Sequence, residues 1–301
     1  MTVIRTALGS LLLIGLIVVA GEAPAQDPGH PISMWQIDGG SNRIYLLGSV
    51  HVLRQEDHPI PTAIEEAYQD ADILIMEVDM DDLDPINMAG LVSELGVINN
   101  GSSLQEYMGP ELYTEAAEYA SQLSIPIEML GESEPWLAAI TVEQMMLLRN
   151  GFNPQFGIEF HLSAKAGEDN KEILGFETVR EQLEFLDGLS LPAQRSLLIQ
   201  TFEESLNIEQ DLNLLIDAWR HGDVDFLEKT MLAEMRKYPE LYKTLVVDRN
   251  EAWVKKIESL TTEADDYLIV VGALHLVGED GLPALLSQIG ISANQLSEPG
   301  T

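Results

Sequence analysis

Two segments near opposite ends of the chain repeat one arrangement: Arg43-Ile-Tyr-Leu-Leu-Gly-Ser-Val-His51 and Tyr267-Leu-Ile-Val-Val-Gly-Ala-Leu-His275. Each is an apolar run of strand character that ends in glycine, with a histidine three residues on. Glycine tolerates backbone angles that other residues avoid, so a buried strand that stops at Gly48 or Gly272 can turn sharply. The histidine is then carried just past the carboxyl end of its strand, the edge at which open α/β sheets bind ligands. A single Gly-x-x-His is a weak signal. Two copies after matching strands predict that His51 and His275 face one site.

The segments between them predict an α/β (α+β) fold, with a mixed and largely parallel central sheet, flanking helices and a large helical insertion. Ser33 to Asp38 and Arg43 to Gly48 flank Gly39-Gly40-Ser41-Asn42 and read as a hairpin. A helix over Pro61 to Asp70 and a short buried strand over Ile73 to Val78 follow, an order that suggests a right-handed crossover and a parallel pair. Apolar spacing of three and four predicts helices over Pro110 to Leu123 and Pro135 to Arg149, inside an insertion spanning roughly 84–155. Lys171 to Phe176 reads as a further strand and Thr178 as the return to helix. Asp248 is placed to cap a helix through Ser259. A last helix near Leu282 to Ile289 and an edge strand from Ile291 complete the reading.

At the N-terminus, Arg5 precedes an apolar run from Ala7 to Gly21, and Ala23-Pro24-Ala25 supplies a small-x-small site. That is the pattern of a secretory signal peptide over 1–25, with cleavage after Ala25, leaving one domain over 26–301 in the periplasm or outside the cell. The run is short of the roughly 20 apolar residues a spanning helix needs, so no stable membrane insertion is expected after cleavage. The chain holds no cysteine, which removes thiol nucleophiles and thiolate zinc sites and leaves histidine and carboxylates for metal chemistry. A formal net charge of −34 repels nucleic acid and anionic membrane, so neither is expected as a partner.

Glu77 lies inside the apolar run Ile73 to Val78, where a charge is costly unless paired or bound to a cation. It is a candidate metal ligand or general base. Glu177 ends Ile173-Leu-Gly-Phe and is either functional or a first-turn carboxylate favoured by the helix dipole. Arg249, in a chain with only 16 Lys and Arg, could pair with Glu77 or stabilise an oxyanion, the alternative being a surface pair with Glu251 or Asp248. Asn250 beside it is weaker. Of Glu159 and His161, at a predicted helix start, Glu159 is the better functional candidate. His30, His58 and His221 sit in turn-like surroundings and are expected to be exposed.

With these pieces assembled, the chain resembles the TraB/GumN family, which also includes pheromone-shutdown and Tiki-type proteins. The resemblance rests on Tyr45-Leu-Leu-Gly-Ser-Val-His-Val-Leu53, Leu74-Ile-Met-Glu-Val-Asp79, Gly175-Phe-Glu-Thr178 with Gln182-Leu-Glu-Phe-Leu-Asp187, Asp248-Arg-Asn-Glu-Ala-Trp253 and Val271-Gly-Ala-Leu-His-Leu-Val-Gly-Glu-Asp-Gly281. The family's paired histidines, glutamate and arginine map onto His51, His275, Glu77 and Arg249. The resemblance implies a fold similar to the erythromycin-esterase and ChaN-like group and, for Tiki-type members, divalent-metal-dependent proteolysis supported by manganese or cobalt. Gly157-Ile-Glu159 and Phe176 depart from the usual Gly-x-Asp and Leu of relatives.

The functional expectation is a metal-dependent hydrolase of the cell envelope, acting on a peptide or small molecule, with His51, His275 and Glu77 holding one divalent cation. Manganese or cobalt is favoured by the resemblance, and zinc or iron suits the same donors. Glu177 or Glu159 would orient or deprotonate water, and Arg249 would stabilise the oxyanion. The rival expectation is a non-catalytic envelope protein that binds metal, haem or a peptide.

Overall fold

Along the strand Tyr267-Leu-Ile-Val-Val, Leu268 and Val270 enter one hydrophobic core while Ile269 and Val271 enter another. Side chains alternate across a strand, so an unbroken apolar run is one that helices cover on both faces. All four of these residues are fully buried, each contributing about 1.5–3 kcal/mol. The computed structural model describes residues 31–38, 40–79 and 84–297. The segment read as a signal peptide, His30 and Gly39 lie outside the described residues.

The strands are β1 (Pro31–Asp38), β2 (Ile44–Ser49), β3 (Ile73–Val78), β4 (Glu172–Glu177), β5 (Tyr267–Gly272) and β6 (Ser292–Ser297). They form one mixed sheet in the order β4-β3-β5-β2-β1-β6. β2, β5, β3 and β4 run parallel, and β1 and β6 add an antiparallel flank. Between β2 and β3 lies α1 (Thr62–Asp70), and the chain passes over β5 to reach β3. The carboxyl ends of the four parallel strands therefore share one edge, with a topological switch at β5.

After β3 come α2 (Pro85–Gly96), α3 (Leu104–Met108), α4 (Pro110–Gln122) and α5 (Pro135–Arg149). α6 (Ile158–Asp169) precedes β4, and α7 (Val179–Asp187), α8 (Leu191–Ser205) and α9 (Ile208–Arg220) follow it. The helices of the insertion build a core apart from the two that flank the sheet: Leu104, Ala116, Ala138 and Val142 pack with Leu198 and Phe202 of α8. The packed unit thus draws on a helix well beyond residue 155.

Helical turns α10 (Val224–Phe226) and α11 (Ala233–Met235) flank a π-helical stretch, and α12 (Pro239–Tyr242) runs through a second one, Lys243–Val247, into α13 (Asp248–Leu260). Asp248 was expected to cap this helix. Val247 already has helical angles and the helix is continuous through it, so Asp248 is an interior residue whose carboxylate pairs with Lys243 at 2.6 Å. α14 (Leu282–Gln288) leads into β6. Among the described residues, no helix is long and apolar enough to cross a membrane.

The glycines of the repeated motifs have a different physical reason from the one the sequence suggested. Neither Gly48 nor Gly272 has a positive φ, and each lies within its strand. Gly48 is needed for space: a Cβ there would meet the Cα of Ala273 at 3.0 Å and the carbonyl of Ser33 at 3.2 Å. Close approach of the two motif segments, not a tight turn, fixes glycine at that position. The Gly48 carbonyl accepts a hydrogen bond from Nε1 of the buried Trp219, at 2.6 Å.

Candidate functional site

Four strands deliver four groups to one edge. His51 follows β2, Glu77 is the penultimate residue of β3, Glu177 ends β4, and His275 lies in the 3-10 turn Ala273–Leu276 after β5. Arg249 and Asn250, both buried, come from α13 on the side of β5. Register places Ser49 beside Gly272 and Val78 beside Glu177, so the four strand ends stop at one level.

Arg249 ties the carboxylates together. Its Nη2 donates to Glu77 Oε2 at 2.6 Å and to Glu177 Oε2 at 2.8 Å, while its Nε donates to Glu177 Oε1 at 3.0 Å. Nη1 lies 3.3 Å from His275 Nε2. The guanidinium stacks over the Trp253 ring at 4.6 Å, one helical turn on. Gln182 of α7 donates to both Glu77 and Glu177, at 3.2 Å each. Arg249 therefore pairs inward with Glu77, as one expectation had it, and not with Glu251 or Asp248 on the surface.

His275 has one ring lone pair, on Nε2, and Arg249 Nη1 reaches it at 3.3 Å. The Asn250 amide nitrogen donates to the carbonyls of His275 and Asp280, at 3.2 and 2.7 Å. Its Oδ1 is left as acceptor, and it lies 2.7 Å from His275 Nδ1. The proton of a neutral His275 is thus placed on Nδ1, and Nε2 turns toward Glu77 Oε1 at 3.9 Å. Burial drives the His275 pKa down to about 4; Glu77 opposes the shift and Arg249 and His51 reinforce it.

His51 has a different neighbour. Its Nδ1 lies 2.7 Å from Glu159 Oε1, and Glu159 also accepts from the Ser49 hydroxyl. Gly157 permits this contact. A Cβ at Gly157 would overlap the His51 carbonyl, so only glycine lets the start of α6 press against the motif and bring Glu159 to the ring. The Glu159 carboxylate raises the His51 pKa, against the cost of burial, to about 10, with a further contribution from Glu77. The side chain is 62% exposed, and solvent screens part of that attraction. Glu159 itself is lowered: His51 and Ser49 outweigh its burial. Its Oε2 is buried with no hydrogen-bond partner.

Glu77 stands between the two histidines. Burial works to raise its pKa, but protonated His275, Arg249, His51 and the Gly272 N–H, donating to Oε1 at 2.7 Å, together hold it at about 2. Above the Cα of Gly272 is a point that all three side chains face. A Cβ built there would lie 3.4 Å from Glu77 Oε1, 3.5 Å from His51 Nε2 and 3.6 Å from His275 Cδ2. Among the described residues, no three histidine or carboxylate groups already stand close enough to form a finished metal cage. The donor chemistry at this point, two imidazoles and a carboxylate, nonetheless suits a divalent cation. A cavity of about 320 Å³ opens beside it, lined on this side by His51, Glu77 and Glu159.

The other sequence candidates lie apart from this point. His161 Nε2 pairs with Glu65 at 2.7 Å. His221 is exposed, as expected. His58 is half-buried, contrary to expectation, because its Nε2 meets the Phe156 carbonyl at 2.9 Å. Sequence reasoning gave no role to Gln182, Ser49 or Trp253. The spacing of Arg249 and Trp253, four apart on a helix, was the available signal that the two would share a face.

The model of the TraB/PrgY/gumN family matches residues 33–295. The uncharacterized protein YbaP of Escherichia coli (strain K12) is 24% identical over 248 residues, covering 82% of this chain and 89% of its own. An uncharacterized protein of Treponema pallidum (strain Nichols) is 22% identical over 264 residues, covering 82% of this chain and 78% of its own. No solved structure matches. The family match spans every strand end that supplies the cluster, and the chain belongs to the TraB/PrgY/gumN family.

Proposed function

We propose that this protein is a divalent-metal-dependent hydrolase of the cell envelope that cleaves a peptide, amide or ester carbonyl. The observation that carries the reading is the point above Gly272, faced at once by His51 Nε2, Glu77 Oε1 and the His275 ring. His51, His275 and Glu77 would hold the cation, which when bound supplies a Lewis acid and a water acidified to react near neutral pH. Manganese or cobalt is the first choice, with zinc and iron compatible with the same donors.

The chain's own groups have separable tasks. Asn250 and Glu159 each occupy the Nδ1 of a histidine, which leaves Nε2 of each ring for a ligand bond; His51 Nε2 faces the shared point and the His275 ring approaches it through Cδ2. Glu159, hydrogen-bonded to His51 Nδ1, holds that proton in place, so the proton His51 must lose before it can act as a ligand is the one on Nε2. Arg249 carries a fixed positive charge beside Glu77 and is the group suited to a developing oxyanion. Glu177 is committed to Arg249 through both oxygens, which makes it a positioning residue in this scheme and leaves water activation to Glu77 and Glu159.

The test is elemental analysis of the purified protein beside a His51→Ala, His275→Ala double variant, followed by a peptide screen with manganese and cobalt. About one metal per folded chain, absent from the variant, with turnover in the screen, is the expected result. Absence of metal after incubation with excess manganese, cobalt and zinc would refute it. Bound metal without turnover would favour a binding protein instead.

A further inference from the structure

Two helices beside the site carry apolar faces that the fold does not finish burying. In α7, Val179, Leu183 and Leu186 recur at a spacing of four and three with Gln182 beside them, the stripe of a helix that lies on a core. Yet no residue of α7 is buried. α2 is rich in apolar residues, among them Met88, Leu91, Val92 and Leu95; among its described side chains and glycines only Gly96 is buried, while Ile86 is 80% exposed. By contrast, α5 in the same helical unit buries seven residues. The two helices are held together on their outer side by Arg180 and Glu94, 2.8 Å apart. The Thr178–Glu181 capping box anchors the start of α7. Between them lies the cavity of about 320 Å³ beside Glu77, walled by Met88, Val179 and Leu183 and floored by Met76 and Val78.

We propose that this cavity is a subsite for one large, uncharged apolar side chain of the substrate, of leucine, methionine or phenylalanine size, next to the bond that is cleaved. The inference rests on the hydrolase reading for what happens at that bond, but the subsite itself is a binding claim. Its volume is at the small end for ligand sites, so it takes a side chain with its adjoining peptide units and not a folded surface. Among the described residues no lysine or arginine lines it, and its polar wall is carboxylate-rich. Its charges are already paired, His51 with Glu159 and Glu77 with Arg249, so a charged side chain of either sign would enter without a free counterion and lose its hydration. Gln182 is the one neutral polar group among the described lining residues, and its amide nitrogen is already committed to Glu77 and Glu177. Met88 gives the wall an unbranched side chain that adapts to different apolar shapes.

The experiment uses the full chain with methyl-labelled methionine and follows the Met76 and Met88 resonances by NMR, assigned through Met76→Leu and Met88→Leu. N-acetyl amides of leucine, phenylalanine, alanine, lysine and aspartate are titrated in turn. The leucine and phenylalanine compounds are expected to shift both methyls and to bind at least about tenfold more tightly than the alanine compound. Lysine and aspartate compounds should leave both unmoved. Leu183→Asp should abolish the shift while metal content stays at the wild-type level. Leu183→Ala, a milder change, should weaken binding should the aspartate variant fail to fold. Equal binding of the charged compounds, no shift with any compound, or unchanged binding in both Leu183 variants would overturn the subsite. Binding with the expected preference in a protein that hydrolyses nothing would reject the hydrolase reading and leave the subsite standing.

Discussion

After β2, His51 stands at the cavity rim with its Nδ1 on a carboxylate, raised to about 10 and cationic at neutral pH in the metal-free protein. After β5, the same four-residue motif delivers His275 into a wall of Trp253, Arg249 and Asn250, with only 8% of its side chain exposed. There it is held near 4 and is neutral. One motif thus yields two histidines of different charge state, one cationic and one neutral. The motif sets where the ring goes; the Glu159 carboxylate then sets the charge of His51, and burial sets that of His275.

The largest expected effect comes from removing what the two share. Glu77→Gln deletes the carboxylate that both rings face, so turnover should fall by about two to four orders of magnitude and metal content should drop to background. Retention of metal in that variant would separate the two histidines into unrelated sites. Next is Gly272→Ala. The added methyl group would sit at ordinary contact distance from all three side chains, so the fold should survive. The shared point would be filled and metal lost, which elemental analysis beside a thermal melt would show.

Glu159→Gln should make the rings alike. The His51 pKa should fall toward 6.5 while His275 stays put, as a histidine NMR titration would record, and metal affinity should weaken about 10–100-fold. Asn250→Ala is the mirror change. It frees His275 Nδ1 and strips the buried His275 carbonyl and the part-buried Asp280 carbonyl of their donor, which should cost about 1–3 kcal/mol in denaturant unfolding.

The smallest effect is on the pH profile of stability in the metal-free protein. His51 is raised on folding, so its contribution is full below 6.5 and is lost as pH rises from 6.5 through about 10. His275 is lowered: the unfolded chain takes up its proton near 6.5 and the folded one only near 4, so stability falls between those values as pH drops. Glu77, lowered to about 2, extends that acid limb, its contribution being lost as pH falls from 4.5. Melting temperature should therefore peak near neutrality, and Glu159→Gln should flatten the alkaline side and also remove the share of the acid side that the lowered Glu159 carboxylate contributes. An unchanged alkaline limb in that variant would show that Glu159 does not control His51.

The parallel core was legible because strands buried on both faces must be apolar throughout, and β3 and β5 are. Glu77 was visible for the same reason, as a charge inside such a run. Glu159 was harder to place. Nothing in Gly157-Ile-Glu159 states that its helix presses on His51, since that depends on a backbone approach that only the folded chain reveals. Asn250 was undervalued because its role is to hold the carbonyls of two residues that lie 25 and 30 positions away.

By itself, the sequence determined the strand pattern, the repeated motif and the residue types able to hold a cation, because burial and periodicity act locally along a chain. The tertiary structure alone decided which group engages Nδ1 of each histidine and which ring carries charge. It also fixed the Arg249 guanidinium between Glu77 and Glu177, and left α2 and α7 with open apolar faces. Those outcomes depend on distances between segments far apart in sequence, and electrostatic and hydrogen-bond energies change steeply over those distances.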